Sequence, residues 1–371
     1  MKQFFNSTLQ EVFKFILNEL LLLSWGYQIM SYVRNAWYVA GWSREIEQKL
    51  SRITIMGTNI VIFRQTSGDV VALEDRCPHK LLPLSKGTLV DNKIQCGYHG
   101  LTFDGTGKCV RIPGQDNIPK TAFVRSYPTH QKHDIVWIWM GEETKADPKN
   151  IFTLEEFDNP QWKAHQGDAL YFKSNYLNVA ENLVDPAHVS FVHPTTLGNP
   201  ESEDVKVHTD ISGEVLAAWR WIRNAPPVGF FQSFGGFSGN VDRWHYYYLY
   251  MPSIAVIDFG SADVCLNLND NERHKGVRVF AIHFLTPISA TECIDRWMHL
   301  RNIHTDDEAV AESMNQMFRV AFNEDKEILE AIQEEELRPI QHKNLRLAID
   351  KAPNVYRLRI KRLAEAEDVI S

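Results

Sequence analysis

An α+β fold is predicted for this chain on three observations. The first third carries short β-like segments between turn signals, a polar decapeptide follows, and the rest mixes longer strands with two helical tracts near the C-terminus. With 371 residues, 44% of them hydrophobic and 23% charged, the chain can bury two ordinary cores. Two domains are therefore expected, 30–145 and 146–371, behind an N-terminal extension, 1–29.

The extension contains KFILNELLLLSWGYQIM, whose uncharged run from Leu20 to Val33 is shorter than the ~20 residues needed to span a bilayer. It lacks a basic leader and a small-residue cleavage site, so neither a membrane partner nor an export signal is expected. An amphipathic segment packed on the body is the expected role, with Met30 as an alternative start. From Arg34 to Gly141 come WYVAGW, RITIM, NIVIFRQ, VVALED, LTFD and IVWIWM, parted by GTN, TSGD and DGTGK, which predicts a small antiparallel β domain. GEETKADPKN, 141–150, has no apolar period and reads as a linker. Strands are expected around VLAAWRWI, WHYYYLYM, IAVIDFG and VRVFAIHFL, then helices from about Asp306 to Glu336 and from about Asn344 to Glu365.

A net charge of -8 and an isoelectric point near 6.0 argue against a nucleic-acid partner, since no basic surface dominates to displace counterions from phosphate. Cysteines at 77, 96, 109, 265 and 293 are an odd, scattered set, unlike a secreted disulfide framework, and reduced thiols in a cytoplasm are expected.

Two of those cysteines have a histidine just behind them: Cys77-Pro78-His79 and, after sixteen intervening residues, Cys96-Gly97-Tyr98-His99. Two thiolates and two imidazoles satisfy tetrahedral zinc, but zinc fingers usually group like ligands. One Cys and one His from each of two loops instead suit a [2Fe–2S] unit, whose one iron takes the thiolates and the other the imidazoles. Cys109 lies outside the pattern and reads as a small buried hydrophobe. The spacing resembles the ligand motif of the Rieske non-haem iron oxygenase family, with Gly97 where the family more often has proline.

Further on, NYLNVAENLVDPAHVSFVHP holds His188 and His193, with Asp185 three residues before the first. By itself the pair is a weak signal, because five residues on a helix do not share one face, and Asp185-Pro186 suits a helix cap. The stretch nevertheless resembles the same family's mononuclear-iron motif. That resemblance implies that His188 and His193 bind Fe(II), that Asp185 links the two metal centres, and that Asn182 acts with it in catalysis. Iron of this type takes two histidines and one carboxylate. Asp306, Asp307 and Glu308 stand where a helix begins and are accounted for by capping. Asp325 differs, because it falls in an apolar stripe formed by Phe318, Ala321, Phe322, Ile328, Leu329 and Ile332. A buried carboxylate needs a metal or an arginine partner. EDKEILEAIQ also resembles the family segment carrying the third ligand, so Asp325 is the candidate.

The resemblance runs from about Tyr32 to Leu363 and is nearest to the dicamba monooxygenase and vanillate demethylase type of oxygenase component, echoed in VRNAWYVA. It implies an antiparallel β Rieske domain followed by a helix-grip (START-like) catalytic domain, assembled as a head-to-tail homotrimer. It also implies electrons from NAD(P)H through a separate reductase, usually with a ferredoxin; the chain itself has no Gly-rich dinucleotide fingerprint. The expected activity is hydroxylation of a small aromatic substrate with O2, in aromatic compound catabolism, with O- or N-demethylation of an aromatic acid preferred. Ring hydroxylation or cis-dihydroxylation at the same iron is the alternative chemistry, and an electron carrier without oxygenase activity the alternative class. By the same resemblance His283, His245 and Trp297 fall at substrate-contacting positions. A strand-core reading stays open for His283 and a surface reading for His245.

Overall fold

The computed structural model describes residues 32–339 and 344–368, so the 1–29 extension lies outside the described residues. The front third forms three antiparallel sheets. Strands β1 (Trp37–Trp42), β10 (Thr129–Lys132) and β11 (Ile135–Trp139) make one, in the order β1-β11-β10. A second contains β2 (Ser51–Ile55), β3 (Thr58–Arg64), β4 (Val70–Glu74) and β9 (Ser126–Tyr127); the third contains β5 (Thr88–Val90), β6 (Lys93–Gln95), β7 (Thr102–Phe103) and β8 (Cys109–Arg111). The sequence pattern did not reveal β5, β6, β8, β9 and β10, which span two to four residues each and leave no room for an alternation to declare itself.

WYVAGW and IVWIW are buried at every residue because their sheet is covered on both faces. Trp37, Val39, Trp42, Ile135 and Trp137 share a core with Ile254, Val256, Phe280, Ile282 and Phe284 from the second half of the chain. The Met56 and Gly57 N–H groups donate to Pro287 O (2.8 Å) and Ile288 O (2.7 Å), which fastens the β2–β3 turn to the same half. The decapeptide 141–150 forms 3-10 turns at Glu143–Lys145 and Pro148–Asn150. Indole N–H groups of Trp37 and Trp139 hold it through Asp147 O (3.0 Å) and Glu142 O (2.8 Å).

The second half is one antiparallel seven-stranded sheet gripping a long helix. Its strands are β12 (Lys163–Phe172), β13 (His208–Asp210), β14 (Leu216–Ala225), β15 (Val241–Tyr250), β16 (Ile254–Asp263), β17 (Val277–Ser289) and β18 (Glu292–Arg301), in the order β12-β18-β17-β16-β15-β14-β13. The helices are α1 (Tyr176–Asn182), α2 (Val189–Val192), α3 (Gly229–Phe234), α4 (Glu308–Glu336) and α5 (Lys351–Asp368). Asp307 caps α4 by accepting the Val310 N–H at 3.0 Å.

Ala311, Met314, Phe318, Ala321, Phe322, Asp325 and Leu329 form the buried face of α4, whereas Ile328 and Ile332 are 46% and 44% exposed and do not belong to the stripe. Ile328 lies about 80° round the helix from Phe318. In the last turns the buried side drifts toward α1, where Gln333 Oε1 accepts the Asn175 N–H (2.7 Å) and Glu336 Oε2 accepts from Asn178 Nδ2 (2.8 Å). That drift leaves Ile332 outside. Helix α5 begins at Lys351 rather than near Asn344, behind a 3-10 turn at Ala348–Asp350, and buries Ala352, Tyr356, Ile360 and Ala364.

Candidate metal centres

The two Cys–His loops are built alike. Cys77 N–H donates to Leu82 O (2.9 Å) and Cys77 O accepts the Leu81 N–H (3.0 Å); Cys96 N–H donates to Leu101 O (2.8 Å) and Cys96 O accepts the Gly100 N–H (3.0 Å). Each loop turns through a left-handed residue at the same place, Leu81 at φ 62° and Gly100 at φ 74°. Glycine adopts that conformation freely, and leucine does so under strain. At Gly97 a Cβ would lie 2.9 Å from Lys86 O, so this loop sits closer to its neighbour than a proline would allow.

This shared frame buries both cysteines and leaves His79 and His99 exposed, their ring centroids 4.5 Å apart. Burial pushes the Cys77 thiol up, opposed by the backbone N–H groups of His79 and Lys80 aimed at its sulfur. Thiols inside and imidazoles outside form the layered donor set that a cluster with two unlike irons requires. Cys109 is buried in the same small core, its thiol near Arg111 O.

In the second half, α1 ends at Asn182 and the chain turns at Asp185-Pro186. Asp185 Oδ1 accepts the Ala187 N–H (2.8 Å), closing a turn rather than capping a helix. His188 and His193 then stand at the two ends of the single-turn helix α2, as its N-cap and C-cap residues. Their spacing fails on a continuous helix but works here, with ring centroids 5.3 Å apart. Across the groove, Asp325 Oδ1 lies 3.5 Å from His188 Nε2 and 3.2 Å from His193 Nε2. Asn182 Nδ2–H also donates to that oxygen, at 3.0 Å.

Whether these groups fit a metal follows from their protons. Glu324 Oε2 can only accept, so at 2.8 Å it fixes the proton of His193 on Nδ1. Burial opposes a charge on His193, but the hydrogen bonds and charges of Asp325 and Glu324 hold it above the ordinary histidine range. Without a metal a proton on Nε2 therefore bridges to the carboxylate oxygen 3.2 Å away, and in the neutral ring that acts as a ligand a lone pair faces it instead. Two lone pairs at that separation repel unless a proton or cation lies between them. Donors about 2.1 Å from one metal at right angles stand about 3 Å apart, close to the spacing found. Two imidazoles and one carboxylate on one side of a metal are the donor set of Fe(II) oxygenases, with open positions opposite. Burial pushes Asp325 up, but the His193 hydrogen bond, the fields of both imidazoles and the Asn182 N–H outweigh it and hold the carboxyl below its ordinary range. Burial holds His188 below the ordinary histidine range, and it holds Asp185 above the ordinary carboxylate range.

The three donors open on a cavity whose other walls include His245, Tyr247, Phe259, His283, Phe318 and Phe322. His245 is buried rather than on the surface, and burial together with the charges of Arg220 and Arg243 keeps it neutral. His283 Nδ1–H donates to Asp295 Oδ2 at 2.7 Å, which leaves its Nε2 on the cavity side without a partner among the described residues. Trp297 does not line the cavity. It is packed behind Phe318 and Phe322, with centroids 5.8 and 5.1 Å away. Sequence reasoning missed Glu324 and Asp295, the carboxylates that orient His193 and His283. The available signals were the acidic pair in NEDKE and the period-two placement of Asp295 on the face of Trp297.

Residues 172–366 match the vanillate O-demethylase oxygenase C-terminal domain, and residues 36–128 match the Rieske [2Fe-2S] domain. The chain is 34% identical over 342 residues to a toluene-4-sulfonate monooxygenase system iron-sulfur subunit of Comamonas testosteroni, covering 91% of this chain and 98% of that one. It is 31% identical over 341 residues to a vanillate O-demethylase oxygenase subunit of a Pseudomonas species, covering 90% and 95%. Dicamba monooxygenase bound to 3,6-dichlorosalicylic acid superposes with a TM-score of 0.82 at 28% identity, covering 91% of this chain and 99% of that one. No helix among the described residues is long and apolar enough to cross a membrane.

Proposed function

The chain belongs to the Rieske non-haem iron oxygenases of the vanillate O-demethylase type, and from that membership we propose that it is a terminal oxygenase component hydroxylating an aromatic acid, with O- or N-demethylation as the outcome. The observation that carries this reading is the convergence of His188, His193 and Asp325, whose ligand atoms lie within 4.8 Å of one another, on the largely apolar cavity.

In this reading those three residues hold Fe(II), and Cys77, Cys96, His79 and His99 hold the [2Fe–2S] cluster. Bound iron supplies O2 activation, driven by electrons from the cluster. The chain's own residues do the rest. Glu324 and Asn182 orient His193 and Asp325. Phe318 and Phe322 shield the site from water, and Nε2 of His283, aimed by Asp295, accepts a hydrogen bond from a hydroxyl or N–H of a substrate that carries one. Hydroxylation of a methyl carbon on oxygen or nitrogen gives a hemiacetal or hemiaminal, which expels formaldehyde. Toluene-4-sulfonate and 3,6-dichlorosalicylic acid, named with two of the similar proteins, are both arenes bearing an acid group, which supports an anionic arene here.

Electrons reach the chain from a reductase, with a ferredoxin between them, in a reducing cytoplasm that suits five cysteines none of which is in a disulfide among the described residues. The assembly is a head-to-tail trimer, in which the exposed His99 of one copy meets Asp185 of the next. Asp185 Oδ1 is engaged by Ala187, leaving the other oxygen for the neighbour.

The test is formaldehyde release by the full-length protein with a surrogate reductase across methoxylated aromatic acids, alongside iron and sulfide analysis. Formaldehyde with three irons per two sulfides supports the reading. Oxygenated product without formaldehyde moves it to ring hydroxylation, and two irons per two sulfides without turnover leaves an electron carrier.

A further inference from the structure

Two arginines on the inner face of the large sheet are buried without an ion-pair partner among the described residues. Arg220 on β14 is 1% exposed and Arg243 on β15 is 0% exposed. Arg220 donates from Nη1 to Ser202 O (2.7 Å), and Arg243 donates from Nη2 to Asn199 Oδ1 (2.6 Å). Nε and Nη2 of Arg220, and Nε and Nη1 of Arg243, are buried with no partner among the described residues.

Strand register gathers these groups. Arg220 pairs with His245 across β14 and β15, Arg243 precedes His245 by two residues, and Ser261 on β16 pairs with Arg243. All four side chains therefore leave the same face of the sheet. Ser261 Oγ and His245 Nδ1 are also buried without partners among the described residues; His245 lines the cavity holding the iron ligands, and Arg220, Arg243 and Ser261 lie behind it, outside the cavity lining.

A guanidinium stays charged under these conditions; burial, and then the like charge of Arg220, bring Arg243 down only to about 10. Two adjacent buried cations are costly unless an anion joins them. The fields of Asp185 and Glu201 reach Arg220 and Arg243 respectively, but neither acid forms an ion pair with them. Arg273 and Arg278, both partly exposed, pair with Asp258, and the buried Arg301 donates to the carbonyls of His304 and Asp307, although Nε of Arg273 and of Arg296 also lacks a partner among the described residues.

We infer that Arg220 and Arg243, with Ser261 and His245 beside them, form an anion subsite that takes the acid group of the aromatic substrate and turns the opposite end of the ring toward His188, His193 and Asp325. This inference rests on the oxygenase reading and adds the chemical class of its substrate. The donor set, two guanidinium forks and a hydroxyl, matches the three acceptor oxygens of a sulfonate more fully than the two of a carboxylate.

Calorimetric titration of the full-length protein with benzenesulfonate, benzoate and methyl phenyl sulfone tests the subsite, the sulfone being a neutral near-isostere of the sulfonate. Wild type should bind benzenesulfonate at least ~10-fold more tightly than the sulfone, with benzoate between them. Arg220→Met and Arg243→Met should each weaken benzenesulfonate at least ~10-fold and leave the sulfone within about twofold. Equal affinities in wild type, or no benzenesulfonate binding, overturn the subsite even if neither variant folds. Turnover separates this failure from that of the oxygenase reading. Formaldehyde released from methoxybenzene as efficiently as from 4-methoxybenzenesulfonate removes the subsite and leaves the oxygenase, whereas neither formaldehyde nor any other oxygenated product from any methoxyarene removes the oxygenase reading itself.

Discussion

Replacing Gly167 with alanine should strain the catalytic half from beneath the iron site. Gly167 lies on β12 at an irregularity in its pairing with β18. A Cβ there would stand 2.4 Å from Cε3 and 2.5 Å from Cδ2 and Cε2 of Trp297, where ordinary contact begins near 3.4 Å, so the indole must retreat by about 1 Å. It has nowhere to go, being fully buried and backed by Phe318 and Phe322, which stack on each other at 5.6 Å. Phe322 is one turn from Asp325 on α4, so the push is delivered to the carboxylate. Overpacking of this kind costs about 1–3 kcal/mol, and at roughly 2–4 °C per kcal/mol the melting midpoint falls by roughly 2–12 °C. Calorimetric melting of Gly167→Ala should be read beside Gly239→Ala, where a Cβ meets nothing within 4 Å and the change should stay within about 0.5 kcal/mol. Matching midpoints for both variants and wild type would refute the wedge that ties Gly167 through Trp297 to α4.

Other perturbations separate the roles around the metals. Asp325→Ala should lose the mononuclear iron and turnover with the cluster absorption intact, whereas Glu324→Gln, acting only through His193 Nδ1, should weaken iron binding by about 10–100-fold; iron retained at wild-type level in Asp325→Ala removes it as a ligand. Asp185→Asn should keep both metals yet leave the reduced cluster unable to reoxidise with substrate and O2 in a single-turnover experiment, and normal reoxidation would exclude it from the electron path. Burial first, then the charges of Arg301 and His165, bring His299 down to about 3 from 6.5. The unfolded chain therefore takes up a proton that the folded chain refuses. Stability from this group is complete above pH 6.5 and declines as pH falls toward 3, by about 2 kcal/mol between pH 6.5 and 5. Urea unfolding at those two pH values should show a loss smaller by about that amount in His299→Gln, and an unchanged loss would clear His299 of the effect.

Whatever depends on neighbours along the chain was legible in the residues alone. Each Cys–His pair sits within a few residues, so a short loop can present both side chains, and the apolar runs of β1, β3, β11 and β15–β17 and the alternation of β14 are local in the same way. The helical stripe around Phe318 and Phe322 likewise singled out Asp325 as an acid on a buried face. Tertiary structure alone decided what those faces meet. It brought Asp325 Oδ1 to His188 and His193 from a distant helix, joined Glu324 to His193 and Asp295 to His283, and set Trp297 behind the cavity wall. Among the described residues it also left Arg220 and Arg243 without a carboxylate while giving Arg278 one. Residue periodicity records which side of an element is turned inward. Whether a buried charge is paired depends on elements far away in the sequence, and only the packed fold places them.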